Sequence, residues 1–389
     1  MKIGILTSSY AGNGLFGCNY GAILQGYALI KQLRLLGHEA YDINYLSDNV
    51  YLPKQYNIQK RIIKRIPLLF NIQNIKNKYL QYKNIKNQAS LEEKFKKFIN
   101  EFDITYTGGQ FYTYKQLMDI SERFDAFIVG SDVVWNPLLY QGVNDRGHFL
   151  SFALKGVKRI AYAPSFGVTD IPDTAKKDLK SLLEKFDAIS VREKSGADII
   201  YRETEMHAQV VLDPTLLLEP KYYDDVTKIP EDLPSRYMAV YRFGNLKHTA
   251  DKIREISEKC KLPIVYIPSN NDGLFKPNYS IGPGEFLGVI KNAELVLSDS
   301  FHCTVFALIN HRPFLTFYRT VPEPGKDINS RMTDILKTVE MSDRLIKPSD
   351  EIKYDKLFDL NFDNADKIID RMRKESLKYL KNALEVEWT

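Results

Sequence analysis

The sequence predicts an α/β protein of two open parallel sheets, closed by a long C-terminal helix. Short apolar runs of four or five residues alternate with helical patterns along the whole chain, the signature of parallel α/β architecture. At 389 residues the chain also exceeds what one hydrophobic core usually supports, so two domains are expected. Its last segment carries apolar residues at helical spacing without interruption.

Taken in order, Ile3 to Leu6 is the first strand, and Tyr20 to Leu36 is a helix ended by Gly37 in the usual cap position. His38 to Tyr45 returns as a second strand, completing one βαβ unit. Further strands are expected at Ala126 to Val129, Arg159 to Ala163, Ala188 to Val191 and Val210 to Leu212. A linker rich in Pro and Asp, Glu219 to Pro234, then opens a second series. That series has strands at Tyr237 to Arg242, Ile264 to Ile267, Leu295 to Leu297 and Pro313 to Phe317, with a helix from Thr249 to Lys261. Ala365, Ile368, Ile369, Met372, Leu377, Leu380 and Leu384 form the apolar stripe of the closing helix. The expected domains are therefore 1–218, 219–362, and a helix over 363–389 packing back across both.

An apolar fraction of 44% with 26% charged residues is that of an ordinary globular protein, and no window approaches the roughly 20 apolar residues of a membrane span. The N-terminus reads as a buried strand, with too short an apolar stretch for a signal peptide, which predicts a soluble cytoplasmic protein. Cys18, Cys260 and Cys303 are odd in number and lack metal-ligand spacing, so free thiols are expected, with no disulfide framework and no structural zinc.

Net charge is only +5, but its distribution is uneven. Within an excursion over 50–100, the stretch 54–86 holds Lys54, Lys60, Arg61, Lys64, Arg65, Lys76, Lys78, Lys83 and Lys86 without one acidic residue. Ile62, Ile63, Ile66, Leu68, Leu69 and Phe70 lie among them. A basic amphipathic segment of this kind suits an anionic membrane surface, and equally a helix whose apolar side packs on its own domain. No nucleic-acid-binding module accompanies it.

Several motifs sit where strands end. Gly12, Gly14 and Gly17 match a dinucleotide fingerprint, but Thr7 to Ala11 separate them from the strand and the helix starts only after Gly17. They read as a loop over a cleft rather than a pyrophosphate site. Asn19 is a plausible N-cap, and Gly21 permits close approach to the helix start, which suits an anionic or polyhydroxyl ligand. Ser131 and Asp132 follow a buried strand at the edge where open α/β sheets bind ligands, or else cap the next helix. Arg192 leaves its strand at the same edge, where it can grip a carboxylate or phosphate or pair with Glu193 or Asp213. The strongest local signal is Ser298-Asp299-Ser300-Phe301-His302, a strand end turning into an apolar helix with the histidine in its first turn. Arg319 at a strand end and Arg331 at a helix start complete the list of cations that could build an anion pocket.

The chain resembles the polysaccharide pyruvyl transferase family along nearly its whole length. The resemblance rests on Asn19-Tyr20-Gly21-Ala22 with Gln25 and Tyr27, Val129-Gly130-Ser131-Asp132 with Trp135-Asn136-Pro137, Ser190-Val191-Arg192-Glu193, Asp213-Pro214-Thr215, and Ser298-Asp299-Ser300-Phe301-His302, in the family's order. It implies two Rossmann-like domains facing across a cleft, as in GT-B glycosyltransferases. It also implies a metal-free, cofactor-free reaction in which phosphoenolpyruvate yields a pyruvate ketal on a glycan, free or lipid-linked. On the donor side it implies Arg192 and His302, with Arg319 as a further cation; Ser300, Phe301 and Arg331 are expected beside them from their positions, and Asn19, Tyr20, Gly21, Ser131 and Asp132 on the acceptor side. His302 would be the donor-side catalytic group, as phosphate ligand or proton donor, and Asp132 would orient or deprotonate the acceptor. One position departs from the pattern. Better-studied members carry an arginine two residues before the histidine, where this chain has Ser300, so Arg319 or Arg331 would have to rebuild the donor grip. The competing readings are a sugar-nucleotide glycosyltransferase of the same architecture and a non-catalytic glycan-binding protein.

Overall fold

The computed structural model describes residues 1–8, 18–47, 89–243, 247–268, 275, 279–319 and 329–385. The glycine-rich loop and most of the basic excursion, including the whole of 54–86, lie outside these residues.

The first domain contains β1 (Lys2–Leu6), α1 (Tyr20–Leu35), β2 (Glu39–Asp42), a helix α2 over 89–101 and α3 (Tyr114–Ile120). It continues through β3 (Ala126–Val129), β4 (Lys158–Ala161), α4 (Asp173–Leu183), β5 (Ala188–Val191), α5 (Lys194–Thr204), β6 (Gln209–Val210) and the short α6 (Pro214–Leu217). The second has β7 (Met238–Arg242), α7 (Lys247–Cys260), β8 (Ile264–Pro268), α8 (Pro283–Asn292), β9 (Leu295–Ser298), α9 (Phe301–Ile309), β10 (Phe314–Phe317), α10 (Ser330–Thr338) and β11 (Leu345–Ile346). The chain then runs into α11 (Asp363–Glu385).

Every strand pairing is parallel, in the orders β2-β1-β3-β4-β5-β6 and β11-β10-β9-β7-β8. The winding direction reverses beside β1 in one sheet and beside β7 in the other. Ligands of open α/β sheets bind outside the strand C-termini at such reversals.

Differences from the sequence expectation lie mostly at strand ends. β2 stops at Asp42, because the chain beyond it leaves the sheet to meet the Tyr112 segment, whose amide donates to the Asn44 carbonyl at 2.8 Å. β4 stops at Ala161, and Ala163 takes a left-handed φ of 57°, which turns the chain off the sheet edge. The two-residue β11 was not anticipated, being too short to carry a period.

The two domains share one apolar core that reaches from Ile3 and Ile23 to Val289, Phe306 and Phe314. Helix α1 is the reason. It starts at Asn19, whose side chain accepts from the Ala22 amide at 3.3 Å, and it is buried on nearly all sides, as expected of a helix apolar around its circumference. It packs against α6 of its own domain and against α8 and α9 of the other. Tyr20 at its start stacks on Phe286 at 4.4 Å and donates its hydroxyl to the Ile281 carbonyl at 2.7 Å, tying the domains together. Helix α11 spans them from outside. Near its start Asp366 meets His311, and further along Arg373 donates to the Leu216 carbonyl, Ser376 accepts from the Leu212 amide, and Tyr379 donates to the Ala161 carbonyl.

Candidate active site

The site assembles from strand ends that are distant in sequence. At the first reversal, Thr7 after β1 donates its hydroxyl to the Ser131 carbonyl at 2.7 Å, and Gln25 on α1 donates to Thr7 Oγ1 at 2.8 Å. Gly130 is required here, since a Cβ would lie 2.9 Å from Thr7 Cβ. This fixes the turn after β3. Ser131 does not cap a helix: its hydroxyl donates to Asp213 Oδ2 at 2.7 Å. Asp132 sits in the left-handed region at φ 72°, its carbonyl accepting from the Ser165 amide at 2.8 Å.

Asp213, at the start of α6, is the hub. Its Oδ1 accepts from the Thr215 amide at 2.9 Å and the Thr215 hydroxyl at 2.6 Å, as an N-cap would. Its Oδ2 accepts from Ser131 and, at 3.0 Å, from Arg192 Nη1, and faces His302 Nε2 of the other domain at 3.5 Å, outside hydrogen-bond geometry. Burial alone would raise this carboxyl, but the charges of His302 and Arg192 and the Thr215 hydroxyl hold it far below the usual carboxylate range.

Arg192 leaves β5 almost fully buried. Besides Asp213 it contacts Glu193 Oε2 at 3.5 Å and Ser131 Oγ at 3.3 Å, and its guanidinium lies 4.7 Å from the centre of the Phe301 ring. Burial opposes its charge, but Asp213 and Glu193 more than offset that and keep it firmly protonated. Nη2 of this buried fork has no hydrogen-bond partner among the described residues.

His302 lies in the first turn of α9, against the start of α1. A Cβ on Gly21 would fall 2.1 Å from its Nδ1, so glycine is obligatory there. Ser300 is the N-cap of α9, its hydroxyl accepting from the Cys303 amide at 3.4 Å.

The two remaining arginines separate clearly. Arg319 points to Asp299, with Nη2 to Oδ1 at 3.5 Å, and lies over the Phe243 ring. Its backbone amide donates to Asn329 Oδ1 at 2.8 Å, and Asn329 Nδ2 donates back to its carbonyl at 2.9 Å. That clamp delivers the start of α10 to the cleft. Arg331 thereby reaches Asp132, with Nη1 to Oδ1 at 3.7 Å, across the domain boundary. Burial, with the repulsion of Arg192, lowers its guanidinium to about 10, and its Nε has no hydrogen-bond partner among the described residues. Among the described residues, Asp132 and Glu193 only partly offset this lowering.

A cavity of about 370 Å³ opens beside these groups, lined by Arg192, Glu193 and Asp213 of the first domain and by Phe301, Arg331, Asp334 and Lys337 of the second, with His302 and Asp132 outside its lining. Of the acceptor-side residues named from sequence, Gly21 meets the site through His302, and Ser131 and Asp132 border it. Asn19 spends its side chain capping α1 and Tyr20 spends its hydroxyl on Ile281. Of the donor-side residues, Arg192, Phe301 and Arg331 line the cavity together, whereas Ser300 serves as a cap and Arg319 faces Asp299. Asp213 was missed as a site residue. Its signal was present in Asp213-Pro214-Thr215, an N-cap followed by proline at the first helical position, but nothing local shows that its second oxygen faces another domain.

Two parallel-sheet domains meeting at a cleft, with a helix returning across both, define a GT-B-like α/β protein. A Listeria monocytogenes protein described as a putative UDP-N-acetylglucosamine 2-epimerase shares this fold with a TM-score of 0.51 at 11% identity, covering 99% of this chain and 96% of that one. A UDP-GlcNAc 2-epimerase from Methanocaldococcus jannaschii aligns with a TM-score of 0.44 at 15% identity over 100% and 94% of the chains. A glycosyltransferase of Streptomyces sp. SF2575 aligns at 0.41 and 12% identity over 98% and 99%. Comparison with curated protein sequences returned no significant match.

The chain belongs to the polysaccharide pyruvyl transferase family, whose model matches residues 19–320. It is thus a transferase of polysaccharide modification. Among the described residues, no helix is long and apolar enough to cross a membrane, and no group of three or more His, Cys, Asp and Glu is arranged to hold a metal.

Proposed function

We propose that this chain transfers the pyruvyl group of phosphoenolpyruvate onto two hydroxyls of one sugar in a cell-surface polysaccharide, or in its lipid-linked precursor, forming a pyruvate ketal without a cofactor. The observation that carries this reading is that Arg192 and Arg331, from opposite domains, line one cavity, while His302 lies 3.5 Å from Asp213 of the same cavity. The donor bears a carboxylate and a phosphate, and two buried guanidiniums in one cavity match such a ligand. Arg331 takes the place of the arginine that Ser300 replaces, because it shares the cavity with Arg192 and carries a charge that its burial disfavours.

In this reading His302 gives a proton to the methylene carbon, which makes C2 electrophilic. One sugar hydroxyl adds to C2 and passes its proton to Asp132, the C2–O bond to phosphate breaks, and the second hydroxyl closes the ketal. The two hydroxyl protons end on the methyl group and the released phosphate, so the acid and base are both restored. The arginines stabilise the phosphate as its charge grows.

Calorimetric titration with phosphoenolpyruvate and a panel of nucleotide sugars tests the reading. Wild type should bind phosphoenolpyruvate, and Arg192→Ala should weaken it by about 10- to 100-fold, the worth of one charge-assisted hydrogen-bond pair. Binding of a nucleotide sugar alone would move the assignment to glycosyl transfer.

A lipid-linked acceptor would give the basic stretch 54–86 a use at the inner face of the membrane. Neutralising Lys60, Arg61, Lys64 and Arg65 should then weaken cosedimentation with phosphatidylglycerol vesicles by orders of magnitude, at about 1 kcal/mol per charge. Unchanged binding refutes that part.

A further inference from the structure

We infer that Asp213 is the positioning residue of this site, one carboxylate oxygen holding Arg192 of the first domain and His302 of the second in a fixed relation. The inference deepens the donor reading above and rests on it for the role of His302. Its basis is the division of labour between the two oxygens. Oδ1 is occupied by the amide and hydroxyl of Thr215, which fixes the plane of the carboxylate and accounts for everything a helix cap needs. Oδ2 takes no part in capping. It accepts from Ser131 and Arg192 and faces His302 across the domain boundary, in a place where the carboxylate is wholly out of solvent.

A buried carboxylate costs stability unless it is compensated, and an ordinary N-cap does not need a second oxygen sealed between two domains. The imidazole is confined from the opposite side as well, since Gly21 leaves it just enough room. Asp213 and Gly21 thus bracket the His302 ring from two sides. The groups on which donor binding and proton delivery depend thus share one anchor, which sets their separation before substrate arrives.

The anchor also competes with the donor. Arg192 Nη1 is committed to Asp213, and the carboxylate repels an incoming phosphate or carboxylate. Removing the charge while keeping the shape should therefore leave donor binding intact or tighter, because Arg192 keeps Glu193 and Ser131 as partners, and yet should cripple turnover.

The test is Asp213→Asn, with Thr215→Val as a milder variant that removes only the hydroxyl bond to Oδ1. In Asp213→Asn, kcat should fall about 100-fold while the Kd for phosphoenolpyruvate stays equal to or below the wild-type value; Thr215→Val should lose about 10-fold in kcat by the same pattern. Imidazole NMR supplies a readout that does not depend on the donor. The His302 ring should give a sharp resonance in the wild type and an exchange-broadened one in either variant. Wild-type kcat in folded variants, a Kd weakened as far as in Arg192→Ala, or an unchanged His302 resonance would each overturn the inference. Should the wild type neither bind nor turn over phosphoenolpyruvate, the donor reading fails, and the NMR comparison still decides whether Asp213 holds His302.

Discussion

Gly21→Ala is expected to lower turnover by about 100- to 1000-fold while the protein stays folded, the loss typical of displacing a general acid. The new methyl would stand 2.1 Å from His302 Nδ1, 2.6 Å from Cγ and 2.9 Å from Cβ. No movement of the ring tip relieves all three contacts, so the side chain must leave its rotamer and abandon Asp213. The backbone of α1 has little reason to move, because its start is pinned by the Asn19 cap and by Tyr20 stacked on Phe286. Alanine in place of glycine in a helix even gains a few tenths of a kcal/mol to about 1. The decisive measurement is a double-mutant cycle with His302→Ala. If the glycine acts only by making room for the histidine, the second substitution adds nothing to the loss of the first. Additive losses would show that Gly21 serves the substrate directly.

The two cavity arginines should answer opposite to each other in stability, although both are expected to serve the donor. Arg192→Ala leaves Asp213 and Glu193 buried without their cation, and breaking a buried pair in this way costs about 3–5 kcal/mol, so a marked fall in Tm is expected. Arg331→Met should hold or raise Tm while weakening phosphoenolpyruvate by about 10- to 100-fold. Its guanidinium is lowered from the ordinary range to about 10 by burial and by Arg192. A base lowered in the folded state destabilises that state while charged. The penalty is therefore present in full at neutral pH and is relieved only as pH rises through about 10. Donor affinity should decline over the same rise, as the cation that meets the donor loses its proton. Thermal melts of both variants, with and without phosphoenolpyruvate, check the pair. Equal destabilisation by the two substitutions would remove the argument that Arg331 waits for an anion.

What the sequence by itself determined was local. Strands appeared as apolar runs, α1 was bounded by Asn19 and Gly37, and α11 was legible from its apolar stripe, because each pattern is written within one or two turns of its own element. Arg192 and His302 were singled out for the same reason, as polar residues just beyond strand ends. The tertiary structure decided which of these residues meet. Ladder order places the ends of β3, β5 and β6 near one another and sets the second domain's α9 against them, and no local pattern encodes that order. Hence Asp213, legible only as a partner for Arg192, became the junction of two domains, while Tyr20 turned inward to Phe286 and Ile281. Ser300 capped a helix, and the Asn329 clamp on Arg319 brought Arg331 to the cavity. A side chain's chemistry is fixed by its type, but its use depends on which partners remain beside it once apolar burial has drawn the two sheets together.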